Sequence, residues 1–593
     1  MADWKVENAH LLVKEGRDWR KAEVQEVVKA AFSSGEDIRR ATGLRFGRVA
    51  LTPSVVLFGR LPDDVHVGVA VQRGSAFIAV PSADAQGVIH DDLWHPLDVT
   101  GAQTCFGFLD RHGADRCSGI TLGTYLQLKA DPTSAEILVD QTEREDVLSL
   151  ARVRRDFSTL EIQLFPYQQA GAEFLVTMAE RGVGVLLADQ MGLGKTAQAI
   201  ALLLDRRAYG PSLVVCPASL MRNWCREFEQ IAPSLTVTIH TGRLRAGVIS
   251  GLTVYDVVVT SYDTLVADRS LLEDVSWNVV VLDEAQFIRN PETSRAECVK
   301  GLQRRMSVAL TGTPVENRLL DLWSIAEFVV PALLGTRASF EEVFPDELDR
   351  AESLGQIISP VTVRRLVTEV AGDLPELIEI ETAFELPEEA VRRYKHILQT
   401  SANSLAAATA LRVLCAHADG RGWEPGEDAA PKVEHTMRII SQAFTEEQKV
   451  LVFASFQGTL DQLFETVKVS HPNAFLGVLD GRVPVPDRQT VIDLFTQFPG
   501  PGALLMNPQA AGVGLNITAA NHVIHFNPEW NPALTSQATA RAYRRKQKLP
   551  VAVHHLFYER TVEEDALVRA EWKRALASRV DDGSVPKEKG LHD

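Results

Sequence analysis

The pattern of hydrophobic and polar positions changes near residue 160 of this 593-residue chain. From Gln163 onward, apolar runs such as VGVLLAD, SLVVCP, DVVVTS and NVVVLDE alternate with segments of helical pattern. Strands of a parallel sheet are continuous apolar runs because helices cover both faces of the sheet. A second series, KVLVFAS, GALLM, NHVIHF and VAVHHLF, begins near Lys449, and a helical region separates the two series. The pattern therefore predicts two parallel-sheet α/β lobes with a helical connector.

The first 160 residues have a different pattern. Residues 19–32 form an amphipathic stretch, and the β-like runs RVALTPSVVLFGRL, VHVGVAVQ, SAFIAV and AEILVD follow it, separated by Gly, Pro and Asp. Such punctuation is typical of short strands joined by turns. This region is predicted to be a small α+β or mostly β domain without a chemical motif, and residues 147–155 are a candidate connecting helix.

Charge and composition limit the classes of function. The chain has 61 Lys and Arg against 78 Asp and Glu, a net charge of −17, which is the wrong sign for coating nucleic acid by bulk electrostatics. Any grip on nucleic acid must therefore come from a local basic lining. The six cysteines contain no C-x-x-C pair, which indicates reduced thiols. No apolar run reaches the ~18 residues that a membrane span needs, and the N-terminus lacks the pattern of a secretory signal.

A glycine-rich loop separates a predicted strand from a predicted helix. The run VGVLLA leads into DQMGLGKT (189–196), which AQAIALLL follows. Glycines let backbone N–H groups turn around phosphate oxygens, and the helix N-terminus adds its positive dipole end. In such a loop Lys195 reaches the β- and γ-phosphates and the Thr196 hydroxyl binds Mg²⁺. The loop predicts a nucleotide site, with Asp189 standing where the simple pattern has Gly.

Two acids follow a later strand of the same series. The run NVVVL is followed by Asp283 and Glu284. Beside a phosphate-binding loop, a strand-terminal aspartate holds Mg²⁺ and the adjacent glutamate polarises the attacking water. The alternative interpretation is a pair of acids that only solvates the end of a strand. Together with the loop, the pair predicts ATP hydrolysis rather than ATP binding alone.

Two arginines in the second series are candidates for the same site. Arg541 and Arg544 lie in RAYRRK, too far along the chain to belong to the first lobe. Arginines from a second lobe can neutralise charge on a transferring phosphoryl group and respond to domain closure. Taken alone, this segment would more often be a solvated basic helix face.

In type and order, these segments resemble the motifs of the Swi/Snf-type DNA-dependent ATPases, a branch of the superfamily-two helicases. The resemblance covers about residues 164–564. The first series matches the family with LFPYQQAG, DQMGLGKT (motif I), LVVCPASLMRNW (Ia), VVVTSYDTL (Ib), DEAQ (II) and ALTGTPVEN (III). The second series matches with KVLVFASF (IV), AAGVGLNITAANHVIHFNPEWNPA (V) and QATARAYRRKQ (VI). The chain departs from the family at Gln190, where Glu is usual, and at Ala540, where Asp is usual.

The resemblance implies two RecA-like lobes and a division of the chain into five regions. These are an N-terminal accessory domain (1–160), a first RecA-like ATP-binding lobe (161–335), a helical protrusion and linker (336–440), a second RecA-like lobe (441–575) and a C-terminal tail (576–593).

The resemblance also implies roles for individual residues. Catalysis is assigned to Lys195, Asp283, Glu284, Arg541 and Arg544, and Mg²⁺ binding to Thr196 and Asp283. The implied ATP contacts are Gln168, which would read adenine, and the loop residues Asp189, Gln190, Met191, Gly192, Leu193, Gly194, Lys195 and Thr196. The implied contacts to the DNA backbone are Ser219, Thr260, Ser261, Ser455, Gly512, Gly514 and Asn516. Two alternatives stay open: Arg364 and Arg365 contact phosphates or form a solvated helix end, and Trp530 stacks on DNA or packs in the core.

The function that the resemblance implies is ATP-driven movement along double-stranded DNA without strand separation. The alternatives are a strand-separating helicase and a nucleotide-switched protein that docks a partner. Residues 1–160 are expected to recruit a protein partner, or else to pack on the first lobe and stabilise it. The expected location is the cytoplasm of a prokaryote, on the nucleoid, in a defence or repair system, with the nucleus as the alternative.

Overall fold

The computed structural model describes most of the chain. The described residues are 3–7, 10–33, 36–60, 64–114, 119–131, 133–142, 155–243, 245–370, 374–401, 403–417, 430–484, 487–509, 517–544 and 547–584. They form two compact units. The first consists of Met1–Arg154, Glu180–Val183 and Val330–Val343, and the second of Arg155–Ala179, Gly184–Val329 and Phe344–Asp593. Among the described residues, no helix is both long and apolar enough to cross a membrane.

The N-terminal unit is an α+β structure, as the sequence predicts. Its strands are β1 (Trp4–Glu7), β2 (His10–Glu15), β3 (Asp18–Lys21), β4 (Arg45–Phe46), β5 (Pro53–Arg60), β6 (Asp64–Arg73), β7 (Ala76–Ala79), β8 (Gly87–His90), β9 (Leu93–Pro96) and β10 (Leu138–Asp140). Its first five helices are α1 (Val24–Ser33), α2 (Glu36–Thr42), α3 (Val99–Arg111), α4 (Leu122–Ala130) and α5 (Ser134–Ile137). The strands form three small sheets, in the orders β1-β2-β3, β10-β5-β6-β7 and β4-β9-β8.

Two predictions for this unit need correction. The amphipathic stretch 19–32 is divided between β3 and α1, and the run AEILVD begins as α5 before it becomes β10. Both segments contain apolar positions that fit either period, which is the usual ambiguity of short runs. The candidate connecting helix at 147–155 lies outside the described residues except for Arg155.

The first lobe of the second unit is built on seven parallel strands. These are β11 (Val185–Leu187), β12 (Ser212–Cys216), β13 (Val237–His240), β14 (Val257–Ser261), β15 (Trp277–Asp283), β16 (Arg304–Leu310) and β17 (Thr362–Val363). Their order in the sheet is β13-β14-β12-β15-β16-β11-β17. Every residue of β11, β12 and β14 is buried, because helices cover both faces.

The helices of this part of the chain follow the apolar periodicity of their sequences. Their bounds are α6 (Pro166–Glu180), α7 (Lys195–Arg206), α8 (Met221–Ile231), α9 (Ser250–Thr253), α10 (Tyr262–Ala267), α11 (Arg269–Glu273), α12 (Ser294–Gly301), α13 (Leu319–Val329), α14 (Arg337–Val343), α15 (Leu348–Ile358) and α16 (Val367–Val370). In α8 the buried residues are Met221, Trp224, Phe228 and Ile231. Their spacing of three or four positions gives one apolar stripe and leaves the opposite face polar.

The second lobe has six parallel strands. These are β18 (Leu377–Phe384), β19 (Lys449–Phe453), β20 (Phe475–Leu479), β21 (Gly502–Met506), β22 (His522–His525) and β23 (Val551–Tyr558), in the order β18-β23-β22-β19-β21-β20. Its helices are α17 (Glu388–Thr400), α18 (Ser404–Ala416), α19 (Pro431–Thr445), α20 (Gln457–Ser470), α21 (Arg488–Gln497), α22 (Pro532–Thr539) and α23 (Val562–Ser584). The two parallel-sheet lobes confirm the predicted fold class.

The connector predicted to be helical over 336–440 is helical only in part. It contains β17, which pairs with β11 in the first sheet, and β18, which pairs with β23 in the second. The region therefore adds one end strand to each sheet besides its helices. Likewise, the predicted tail 576–593 continues α23 as far as Ser584. The remaining domain boundaries stay predictions.

One buried ion pair closes the second lobe. The Lys432 ammonium, which has no exposed side-chain surface, donates to both Glu563 carboxylate oxygens at 2.9 Å. Glu563 also accepts from Asn527 Nδ2 at 3.0 Å and from the Tyr558 backbone N–H at 2.9 Å. The ammonium lies 4.8 Å from the ring centroid of Phe526. The pair joins α19 to the start of α23. Each of its two charges is stabilised by the opposite charge and by a neighbouring ring or N–H group.

We expect Lys432→Met to lower the free energy of unfolding by about 3–5 kcal/mol, because it leaves the Glu563 charge buried without its cation. Denaturant unfolding followed by circular dichroism measures this. The double variant Lys432→Met/Glu563→Gln removes both charges and should recover most of the loss, since the glutamine oxygen can still accept from the Tyr558 N–H. A single variant as stable as the wild type would contradict the assignment.

Candidate functional site

The topology of the first sheet brings the glycine-rich loop and the acidic pair to one edge. The loop follows β11, and Asp283 ends β15, with β16 lying between these two strands. All three strands are parallel, so their carboxyl ends meet at the same edge. Open α/β sheets bind their ligands outside the carboxyl ends of the strands, so the ligand site is expected here.

The loop has the backbone shape of a phosphate cradle. Gly192 and Gly194 have φ of 89° and 78°, in the left-handed region that glycine adopts without strain. A Cβ at Gly194 would lie 2.3 Å from Gln168 Nε2, so a larger residue there would displace the Gln168 amide. α7 begins at Lys195, directly after the loop, and its N-terminus adds positive potential at the cradle.

Lys195 is held inside this loop. Its ammonium donates to the Asp189 carbonyl oxygen at 2.6 Å. Burial lowers the pKa of Lys195, and the nearby carboxylates of Glu284 and Asp189 oppose that shift. The cation is thus placed over the cradle by the loop's own backbone.

The Gln168 amide, predicted to read adenine, is bonded to protein groups. Its Nε2 donates to the Leu193 carbonyl at 3.0 Å, and its Oε1 accepts from the Phe165 backbone N–H at 3.0 Å. The Tyr167 hydroxyl donates to the same Leu193 carbonyl at 3.0 Å. These bonds fix the start of α6 against the loop. Adenine recognition by Gln168 stays a prediction.

The acidic pair is fixed on both sides. Asp283 accepts from Trp224 Nε1 at 2.8 Å and from the Glu284 backbone N–H at 3.0 Å. Burial raises the pKa of Asp283, and the Glu284 carboxylate adds to the shift. Glu284 itself has a φ of 52°, a left-handed conformation that is unusual for a residue with a side chain. Strain of this kind persists where the surrounding structure fixes a functional group.

A short hydrogen-bond chain joins the acidic pair to the loop after β16. Gln286 Nε2 donates to Glu284 Oε2 at 2.8 Å, and the Thr311 hydroxyl donates to Gln286 Oε1 at 3.0 Å. The Thr311 oxygen accepts from the Thr313 backbone N–H at 3.0 Å. Gln286 and Thr311 lie inside DEAQ and ALTGTPVEN, but the resemblance implies no role for either residue. Their bonds fix the orientation of the Glu284 carboxylate.

Groups from both lobes line one cavity of about 440 Å³. The first lobe contributes residues of the loop and of the acidic pair: Met191, Gly192, Gly194, Lys195, Thr196, Asp283 and Glu284. The second lobe contributes Arg541 and Arg544. Arg541 is buried, which lowers its pKa to about 10, and the Glu284 carboxylate opposes the shift. The structure therefore brings the predicted catalytic residues together.

The second lobe also packs directly on the glycine-rich loop. A Cβ at Gly192 would lie 3.3 Å from the Cβ of Arg544. Tyr543 packs against the small apolar cluster that Leu193 of the same loop forms with Val367. The arginines are thus positioned by contact with the cradle itself.

The donor set fits a phosphate-bound magnesium ion. Thr196 and Asp283 both line the cavity, and they offer one hydroxyl and one carboxylate. Mg²⁺ is commonly held by one or two carboxylates, by waters and by substrate phosphates. Within the described ranges there is no cluster of three or more His, Cys, Asp or Glu that could hold a metal alone. The residues present therefore fit a magnesium ion that they bind together with the phosphates of a nucleotide.

Two family models match the chain. The SNF2-related domain matches residues 167–417, and the helicase conserved C-terminal domain matches residues 431–546. The first match includes the glycine-rich loop and the acidic pair, and the second includes Arg541 and Arg544. The chain belongs to the SNF2-related family of ATP-dependent helicases.

Relatives of this SNF2-related chain occur in several organisms. It is 34% identical to the putative ATP-dependent helicase/translocase YwqA of Bacillus subtilis, over 70% of this chain and 48% of that protein. It is 32% identical to the Zorya protein ZorD of Escherichia coli, over 66% of this chain and 42% of that protein. A solved SWI2/SNF2 ATPase core of Sulfolobus solfataricus in complex with dsDNA is 33% identical, with 72% of this chain and 96% of that chain covered and a TM-score of 0.39. The chain spans less than half the length of these two curated relatives.

In this SNF2-related chain, one face of α8 borders the cavity, although no motif in the sequence indicates this. Asn223, Arg226, Glu227 and Gln230 line the cavity, and Gln489 lines it from the second lobe. The four α8 residues have the spacing of one helical face, opposite the buried Trp224 and Phe228. That amphipathic pattern was readable in the sequence, but it does not reveal that the polar face borders a nucleotide cavity.

Two predicted DNA contacts are corrected. Thr260 is fully buried in β14, and its hydroxyl donates to the His240 carbonyl at 2.8 Å. The buried Ser261 caps α10, since its hydroxyl accepts from the Thr264 backbone N–H at 3.1 Å. Both side chains serve the first lobe's structure and do not face a nucleic acid.

The remaining predicted DNA contacts have mixed outcomes. Ser219 is exposed after β12, as a contact to phosphate requires. Ser455 is half-buried, and its hydroxyl donates to Glu529 Oε1 at 2.6 Å. Gly512, Gly514 and Asn516 lie outside the described residues. For Ser219 and Ser455, DNA binding stays a prediction.

The Arg-Arg pair is bonded to protein groups and is not a solvated helix end, while contact of Arg364 or Arg365 with phosphates stays a prediction. Arg364 donates to the Gly312 carbonyl at 2.9 Å and to Asp581 Oδ2 at 3.1 Å, and Arg365 binds the Asp189 carboxylate. Both guanidinium groups are largely enclosed by protein. Trp530 is half-buried, with the Arg569 guanidinium 5.0 Å from its ring centroid.

We expect Ser261→Ala to lower the free energy of unfolding by about 0.5–2 kcal/mol, as the loss of a helix cap does, and to leave affinity for duplex DNA unchanged. Ser219→Ala is the matched variant, with unchanged stability and weaker DNA binding. Thermal unfolding and fluorescence anisotropy with a labelled duplex measure the two effects. If Ser261→Ala weakens DNA binding without loss of stability, its structural role is refuted.

Proposed function

We propose that the chain is an ATP-dependent double-stranded DNA translocase or remodeller of the Swi/Snf type. The observation that carries this proposal is the single cavity lined by Lys195, Glu284, Arg541 and Arg544. A binding-only switch does not require a water-activating carboxylate and two arginines from a second lobe. The relative named as a putative helicase/translocase supports the same assignment.

The residues of the first lobe hold the substrate phosphates and activate water. The loop N–H groups and the Lys195 ammonium bind the phosphate oxygens of ATP. Mg²⁺, held by Thr196 and Asp283, would supply charge neutralisation at the β- and γ-phosphates. The Glu284 carboxylate, oriented by Gln286, accepts the proton of the attacking water as it approaches the γ-phosphorus.

The second lobe completes the site only when it packs on the first. Arg541 and Arg544 then stabilise the negative charge that spreads over the equatorial oxygens in the transition state. Each lobe carries a predicted DNA contact, Ser219 in the first and Ser455 in the second, and the two arginines join the second lobe to the ATP site. Each hydrolysis cycle can therefore change the spacing of the lobes' footholds on DNA. This coupling converts ATP turnover into movement along the duplex.

The biological setting is part of the proposal. We infer a cytoplasmic enzyme of a prokaryotic defence or repair system, with residues 1–160 as the module that recruits a protein partner. A relative from Saccharomyces cerevisiae, 28% identical over 70% of this chain and 47% of that protein, is named DNA repair and recombination protein RAD26, and this name supports the repair setting alone. The net charge of −17 disfavours binding of nucleic acid outside a local cleft.

Duplex DNA should stimulate ATP hydrolysis more than single-stranded DNA or RNA, because the two lobes would track the backbone of an intact duplex. Steady-state ATPase rates with each nucleic acid test this, together with displacement of a third strand from a triplex. Glu284→Gln provides the background, since it should bind ATP but not turn it over. Strand separation of a forked duplex would favour the helicase alternative, and the absence of turnover with every nucleic acid would favour the docking switch.

Arg541→Ala and Arg544→Ala should each lower kcat by roughly 10³–10⁵, the range of arginine fingers in phosphoryl transfer, while leaving ATP affinity nearly unchanged. Lys195→Ala is the contrast, because it removes a ground-state phosphate contact and should weaken ATP binding. Single-turnover kinetics and nucleotide titration separate these effects. A loss below about tenfold for both arginine variants would show that neither side chain stabilises the transition state.

A further inference from the structure

The phosphate loop is bonded, almost residue by residue, to a segment that lies far along the chain. β17 pairs with β11, and the pairing continues past the end of both strands. The Ala188 N–H donates to the Val363 carbonyl at 2.7 Å, and the Gln190 N–H donates to the Arg365 carbonyl at 2.9 Å. Gln190 Oε1 then accepts from the Val367 N–H at 2.7 Å. The outer side of the loop is therefore supported by residues 362–367.

Within this segment, the Arg365 guanidinium binds the carboxylate of Asp189, the first residue of the loop. Arg365 Nε donates to Asp189 Oδ1 at 2.8 Å, and Nη2 donates to Asp189 Oδ2 and to Gln198 Oε1, the latter at 2.8 Å. Gln198 Nε2 also donates to Asp189 Oδ2, at 3.0 Å. Asp189 has no exposed surface. A buried carboxylate is stable only when it is paired and hydrogen-bonded, and here Arg365 supplies the opposing charge.

The residue that carries this carboxylate is also bonded, through its backbone, to the phosphate-binding lysine. The backbone carbonyl of Asp189 accepts from the Lys195 ammonium at 2.6 Å. The side chain of Asp189 thus fixes a peptide unit on which Lys195 rests. Neither Asp189 nor Arg365 lines the cavity, so both act through other groups.

The packing around this pair leaves no spare volume. A Cβ at Gly171 of α6 would lie 1.9 Å from Gln198 Oε1 and 2.7 Å from Arg365 Nη2. The glycine therefore makes room for the fork of hydrogen bonds. The guanidinium also lies 5.3 Å from the ring centroid of Tyr167, beside the Gln168 contact to the loop.

We propose that Arg365 is a positioning residue for the nucleotide phosphates, which holds Asp189 and through it Lys195. This inference rests on the proposed function only in taking ATP hydrolysis as the reaction at the phosphates. Arg365 does not touch the nucleotide. It determines the geometry of the loop that does.

The test measures MgADP binding by calorimetry on the full chain, at a temperature where melting curves show each variant to be folded. Arg365→Gln should weaken MgADP binding by about tenfold or more, because one charge-assisted fork is lost and each tenfold corresponds to about 1.4 kcal/mol. Arg365→Lys, which keeps the charge but not the fork, should recover part of the affinity. Arg245→Gln is the matched control, because Arg245 makes a comparable fork on Asp268 in the same lobe, away from the cavity.

A double-mutant cycle with Asp189→Asn identifies the route of the effect. If Arg365 acts through Asp189, the variant Arg365→Gln/Asp189→Asn binds MgADP no more weakly than the worse single variant, since effects along one pathway do not add. In ATPase assays the Arg365 variants should also show a lower kcat, because Lys195 stabilises transition-state charge. Additive losses, or wild-type MgADP affinity in folded Arg365→Gln, would overturn the inference.

A second variant keeps the test valid if Arg365→Gln does not fold. Gly171→Ala removes no hydrogen-bonding group, but its Cβ would displace the ends of the Gln198 and Arg365 side chains, so it should weaken MgADP binding in the same direction. Unchanged affinity in folded Gly171→Ala would contradict the role. Failure of the proposed function looks different: the wild-type chain would bind MgADP, with the same dependence on Arg365, but would not hydrolyse ATP.

Discussion

The nucleotide site depends on contact between two lobes whose sheets are built from residues far apart in the chain. The phosphate cradle and the acidic pair belong to the first sheet, whereas Arg541 and Arg544 reach it from the second. Hydrogen bonds at the lobe junction include Asn531 Nδ2 to Glu316 Oε2 at 3.1 Å and Lys573 Nζ to Asn317 Oδ1 at 2.8 Å. Arg364 of the first lobe also bonds Asp581 of α23 at 3.1 Å, and Asn317, Asn531 and Lys573 are half-buried. The first lobe's own bonds, by contrast, fix its half of the site without help.

The sequence predicts well the features that depend on local pattern. Continuous apolar runs identify buried parallel strands, and a strand, a glycine-rich loop and a helix in succession identify the cradle. Both kinds of signal lie within a short window of residues, so no tertiary contact is needed to read them. Lys195, Asp283 and Glu284 lie together because the glycine-rich loop and the acidic pair both follow strands of one parallel sheet. Arg541 and Arg544 are predicted through the resemblance, since only the packing of the second lobe on the first brings them to the cavity.

Features that depend on distant contacts could not be predicted in this way. Thr260 and Ser261 carry hydroxyls that suit phosphate binding, but β14 buries one and the start of α10 uses the other. The pair Arg364 and Arg365 has the composition of a solvated or phosphate-binding segment, and only the placement of β17 beside β11 reveals its partners. A polar side chain has several uses of similar free energy, and the choice among them is made by neighbours that the local sequence does not specify.

The position of β17 has a consequence for the order in which the lobe assembles during synthesis. β11 lies between β16 and β17 in the sheet, but β17 comes from the far side of α14 and α15 along the chain. A nascent chain that ends before Thr362 therefore presents one side of β11 as an open edge, with unpaired backbone groups that invite non-native pairing. The cradle reaches its final shape only after residues 362–367 have left the ribosome. Premature termination within α15 would thus yield a product that holds all of DQMGLGKT and DEAQ yet lacks a finished phosphate loop.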